Sequence, residues 1–127
     1  MSNQEPDTQG KPLREYTDPA YRPLCATLAD VRANIDRLDD EIVRLIAERA
    51  MYVKDAARFK RDAFQVSAPA RQAQVFEKAR LLAERHNQGF ANLDQVVDAT
   101  YRAMVAAFIA NEQTYFNTMK DLGDTHA

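Results

Sequence analysis

The chain has 127 residues, 46% hydrophobic and 28% charged, with a formal net charge of -2 at pH 7. That length suits one domain with a modest core, and the near-neutral balance argues against the basic excess that nucleic-acid-binding domains carry. There is no run of about 18 apolar residues to span a membrane, no basic-then-apolar secretory layout, and a lone cysteine, Cys25, which excludes an internal disulfide or a cysteine metal cluster; a cytoplasmic protein without nucleic-acid or membrane partners is expected.

Four of the five prolines, Pro6, Pro12, Pro19 and Pro23, fall in the first 23 residues, so residues 1–26 are predicted to form a flexible arm. From Leu28 to Phe59 no Pro or Gly occurs, and Leu28, Val31, Ile35, Leu38, Ile42 and Leu45 recur in steps of three and four. The series continues through Arg49, Tyr52, Ala56 and Phe59, which predicts one long helix with coiled-coil-like spacing. Thr27 is its predicted N-cap, with Asp30 near the positive end of the helix dipole.

The stretch "DAFQVSAP" predicts a break. Pro69 suits the first turn of a second helix, bounded by Ser67 or Ala68 and carrying Val75, Phe76, Ala79, Leu82 and Ala83 until Asn87 and Gly89 stop it. Asn92 followed by Gln95 predicts a capping box for a third helix, whose inner face holds residues from Val97 to Met119. Gly123 then opens a polar tail, so the helical domain is expected over residues 27–120 and the tail over 121–127. No strand pattern is present, and the expected class is all-α. The first helix, at about 34 residues and roughly 50 Å, outruns the other two, at about 19 and 29, so a partner chain is expected to cover part of its seam.

Cations interrupt this apolar framework. Arg49 lies on the seam, and Lys60 follows eleven residues later, close to three full turns, so the two are expected to project from nearly one face about 16 Å apart. That gap suits a small ligand gripped from both ends; equally, both side chains can snorkel or pair with carboxylates of another helix. Arg32 is about 25 Å from Arg49 along the same axis, too far for the same small ligand, but its equivalent in an antiparallel second copy is within reach. Arg71, just inside the second helix, offers another cation from the loop side or a solvated one.

Glu112 sits in the apolar stripe of the third helix, between Phe108 and Ile109 on one side and Tyr115 and Phe116 on the other, whereas Gln113 is rotated to the periphery. Burial favours a protonated carboxyl unless a cation compensates, so Glu112 is either a neutral donor or the partner of a cation from the first helix. His86 and His126 lack acidic or cysteine partners at ligand spacing, and neither a Gly-rich phosphate loop nor a G-x-S-x-G elbow occurs. No metal and no cofactor are expected.

"LADVRANIDRLDDEIVRLIAERAMYVKDAARFK" and "SAPARQ" resemble the all-helical chorismate mutase family, most closely its isochorismate-pyruvate lyase branch, over roughly Leu28 to Met119. Arg32, Arg49 and Lys60 fall at the family's intervals, and Arg71 lines up with its loop arginine. The resemblance implies an intertwined homodimer of three-helix protomers acting on a small dianionic substrate, chorismate or isochorismate. Arg49 and Arg71 would bind one carboxylate, the partner chain's equivalent of Arg32 the second, and Lys60 the enolpyruvyl ether oxygen.

The pattern is not uniform. Glu112 stands where bacterial mutases and the lyase usually carry Gln, although some fungal mutases have Glu. Gln72 replaces a Glu that receives the substrate hydroxyl, Phe108 a small polar residue, and Ala68 an acid. The expected activity is the rearrangement of chorismate to prephenate, with Lys60 and Glu112 catalytic and Arg32, Arg49, Arg71 and Gln72 binding substrate. Lyase activity giving salicylate and pyruvate is the alternative, and a noncatalytic helical module whose arginines are plugged by its own carboxylates is a third.

Overall fold

A computed structural model describes residues 4–123; His126 and the rest of the expected tail beyond Gly123, and the first three residues of the expected arm, lie outside the described residues. The described residues are helical without strands: α1 (Leu28–Ala56), a 3-10 turn (Ala57–Phe59), α2 (Ala63–Ser67), α3 (Pro69–His86) and α4 (Leu93–Thr118). None of these helices is long and apolar enough to cross a membrane. The chain divides into two compact units between Glu48 and Arg49.

In the first unit, the orphan N–H groups at the start of α1 are satisfied as the sequence anticipates. Thr27 Oγ1 accepts from the Asp30 N–H at 3.2 Å. The arm supplies a second acceptor, since the Thr8 carbonyl takes the Ala29 N–H at 2.9 Å. Within the arm the rings of Tyr16 and Tyr21 pack with centroids 4.6 Å apart. No residue of α1 is fully buried.

In the second unit, the predicted continuation of the first helix to Lys60 does not form. α1 tightens into the 3-10 turn, and Lys60 leaves it in an extended conformation, φ -101° and ψ 143°. The cause is a competing cap. The Asp62 carboxylate accepts from the Gln65 N–H at 2.9 Å while Gln65 Oε1 accepts from the Arg61 N–H, starting α2 inside the stretch expected to be only a break.

Ala68 ends α2 and starts α3. Its N–H donates to the Phe64 carbonyl at 2.9 Å and its own carbonyl accepts from the Gln72 N–H at 3.0 Å. Its own conformation is left-handed, φ 46° and ψ 61°, which breaks the helix between the two bonds, and Pro69 then occupies the first turn of α3. An alanine held there costs about 1 kcal/mol through its Cβ. Ala68→Gly is therefore expected to stabilise the fold by about 0.5–1 kcal/mol, read as a higher urea midpoint at unchanged m-value; a lower midpoint contradicts the strain.

The expected Asn92–Gln95 capping box is absent. Asn92 is left-handed, φ 59°, and its side chain caps nothing; the Gln95 N–H donates instead to the Asn92 carbonyl at 3.0 Å. Asn87 organises this connection, with Oδ1 accepting from the N–H groups of Gly89 and Phe90 and Nδ2 donating to the Phe90 carbonyl. Two asparagines compete for the turn, and Asn87 takes its backbone donors.

α4 is the element against which α3, α2 and the 3-10 turn all pack. Among the described residues the buried apolar ones are Ala57, Val66, Ala79, Ala83 and Val105, mostly small side chains that permit close helix approach. Gln113, expected at the periphery, ties α4 to the start of α2 by donating from Nε2 to the Ala63 carbonyl at 2.9 Å.

Candidate active site

Val105, Phe108, Ile109 and Glu112 recur at helical spacing on α4, so one stripe sets a carboxylate among apolar side chains. Glu112 is 5% exposed. Its Oε2 accepts from Lys60 Nζ at 3.0 Å, and the lysine side chain is itself only 22% exposed. Of the two readings open for Glu112, neutral donor or partner of a cation, the geometry has the ion pair. Lys60 reaches it from extended backbone beyond the 3-10 turn, so the helical phase relating it to Arg49 does not set its direction. The buried carboxylate does.

Arg49, near the end of α1, is held differently. Its guanidinium carbon lies 5.4 Å from the centroid of the Phe108 ring, one turn before Glu112 on α4. Among the described residues no carboxylate pairs with it. Arg71 is exposed at the start of α3, with only a long 3.5 Å contact to Gln74 Oε1. Gln72 is half-buried, its Nε2 donating to the Ser67 carbonyl at 2.7 Å. A carbonyl demands a donor, so this bond fixes the amide orientation and leaves Oε1 as an acceptor.

These five side chains line one cavity of about 300 Å³, walled elsewhere by Val66, Val75, Val105 and Ile109. That volume is at the small end for ligand pockets, which run from about 300 to 1,000 Å³. Three cations face it against a single carboxylate, so its field favours an anion. Arg49, Lys60, Arg71, Gln72 and Glu112 are thus brought together, all within the second unit. Arg32 is exposed in the first turns of α1, in the first unit, and is not among the lining residues. The hydrogen bond that orients Gln72 runs to a main-chain carbonyl, for which the sequence carries no signal. The start of α2 did carry one, the Asp62–Gln65 spacing of a capping pattern.

Comparison with known proteins identifies the family of the chain. The sequence pattern of "Chorismate mutase type II" matches residues 31–113, from the first turn of α1 to just past Glu112. A chorismate mutase of Methanocaldococcus jannaschii is 36% identical over 61 residues, 47% of this chain and 62% of that protein, so the chain spans rather less than two thirds of it. An isochorismate pyruvate lyase of Pseudomonas aeruginosa is 33% identical over 93 residues, 72% of this chain and 87% of the lyase. A bifunctional chorismate mutase/prephenate dehydratase of Aquifex aeolicus is 32% identical over 87 residues, 68% of this chain but 24% of the longer protein. Since the matched segment takes in every lining residue of the cavity and well over half of the sequence, the chain belongs to the chorismate mutase type II family.

Proposed function

We propose that this protein is a chorismate mutase, binding chorismate and accelerating its Claisen rearrangement to prephenate without a covalent intermediate or a cofactor. The observation that carries the reading is the convergence of Arg49, Lys60 and Arg71 on a small apolar-walled cavity opposed by Glu112 alone. Guanidinium forks match carboxylates bidentately, and fixing both carboxylates of a flexible dianion selects the folded conformer in which the new carbon–carbon bond can form. As the carbon–oxygen bond breaks, negative charge gathers on the ether oxygen. The Lys60 ammonium has three N–H donors and Glu112 occupies one, which leaves donors for that oxygen. Gln72 Oε1 is oriented to accept from a substrate hydroxyl.

In this reading the working form is an intertwined homodimer. Val31, Ile35, Leu38, Ile42, Val43, Leu45 and Ile46 of α1 are 37% to 62% exposed in the single chain, an apolar stripe of a kind that monomers rarely leave uncovered. A second copy covers that stripe and carries its Arg32 to the second carboxylate.

Glu112 is tested by replacement. Gln keeps an acceptor for Lys60 Nζ and adds an N–H donor, but removes a carboxylate that opposes the charge gathering on the ether oxygen. Glu112→Gln is expected to match or exceed the wild-type kcat, and a kcat lowered by about a hundredfold means that the reaction needs the carboxylate itself.

A second reading, isochorismate pyruvate lyase, is favoured by the extent of the alignment with the Pseudomonas aeruginosa protein and by Ala68 and Phe108, which stand where the mutase pattern carries an acid and a small polar residue. Assaying both substrates side by side decides between them. Loss of chorismate's ultraviolet absorption is compared with pyruvate release from isochorismate as kcat/KM. A higher value for isochorismate reverses the assignment, and turnover of neither makes the chain a noncatalytic relative.

A further inference from the structure

α4 holds the two α1-side cations by different means: Glu112 fixes Lys60 through a carboxylate, and Phe108 sits against Arg49 through a ring face. The difference has a chemical consequence. A carboxylate uses up N–H donors of the cation it orients, whereas an aromatic face attracts a guanidinium through its quadrupole and leaves the in-plane N–H groups free. Arg49 has no carboxylate partner among the described residues, and its guanidinium carbon lies 5.4 Å from the Phe108 centroid in the wall of the cavity. A long, flexible side chain with no such support loses rotamer freedom when it grips a ligand. We infer that Phe108 is a positioning residue that holds the Arg49 guanidinium against its ring, with the fork unoccupied and ready for a substrate carboxylate. This rests on the proposed reading of the cavity and goes beyond it, because Phe108 carries no polar atom and takes no part in the bond changes. Its contribution is to substrate binding and not to the chemical step.

The test is a double-mutant cycle on chorismate. Phe108→Leu keeps an apolar side chain and removes the ring; it is expected to raise KM about fivefold, the equivalent of about 1 kcal/mol, with kcat within about twofold. Phe108→Tyr is expected to restore the wild-type KM. In an Arg49→Gln background, Phe108→Leu should change KM by less than about twofold, because the ring has no guanidinium left to hold. Nitrogen-15 NMR of the folded protein supplies the structural signature. The Arg49 Nε–H resonance is displaced by the ring current in the wild type and in Phe108→Tyr, and returns toward the ordinary arginine position in Phe108→Leu. An unchanged KM in Phe108→Leu, or the same rise in both backgrounds, overturns the inference while leaving the enzyme reading intact. A wild-type protein that binds chorismate without converting it removes the enzyme reading alone, the cycle then being read as Kd. One that neither binds nor converts it overturns both.

Discussion

Lys60→Ala is expected to lower kcat by about two to three orders of magnitude while the far-ultraviolet circular dichroism stays helical. The size follows from what a preorganised donor is worth at an oxygen that gains charge in a site shielded from water, about 3–4 kcal/mol of barrier. A second effect follows from the fold. Glu112 is 5% exposed and its hydrogen bond is to Lys60, so the variant leaves a buried carboxylate uncompensated. Breaking a fully buried pair costs about 3–5 kcal/mol; with the lysine side chain 22% exposed, about 2–3 kcal/mol is expected here. The two effects separate in the double variant Lys60→Ala/Glu112→Gln, which removes the stranded charge. Its urea midpoint should recover most of the loss, and its kcat should not return to the wild-type value. Near-normal turnover in Lys60→Ala would place the chemistry elsewhere.

The other large effect tests the shared site. Arg32→Ala and Arg49→Ala are each expected to retain under about 1% of wild-type kcat/KM, since each leaves a substrate carboxylate without its fork. Unfolded together and refolded as an equimolar mixture, the two inactive proteins should regain about a quarter of wild-type activity. In a two-fold-symmetric dimer half of the molecules are mixed, and each mixed molecule has one site with both arginines intact. A mixture as inactive as its components means that Arg32 is not donated across an interface. Full activity in Arg32→Ala alone means that it binds no substrate at all.

Much of this protein is legible in its sequence, and what is legible is local. The steps of three and four from Leu28 to Ala56, Thr27 before them and Pro69 at the start of α3 state the helices and two of their boundaries, because periodicity and capping are properties of neighbouring residues. The same kind of signal, Asp62 with Gln65, marks the start of α2. Glu112 within an apolar stripe announces a buried carboxylate before any partner is known, since helical spacing alone puts it on that face.

Tertiary structure decided the rest. That Lys60, once out of the helix, turns to Glu112 depends on residues 52 positions apart meeting, which no local pattern encodes. The choice of Asn87 over Asn92 as the organiser of the α3–α4 turn depended on which backbone donors the turn exposed. Ser67 holds Gln72 through a carbonyl, an atom common to all residues and therefore invisible in a sequence. Phe108 reads as one more apolar residue of a stripe until Arg49 is found against its ring. Residue types fix which interactions are available, but a cation can pair with a carboxylate, lie on an aromatic face or remain in water. Only the packed arrangement, by setting distance and burial, selects among the three.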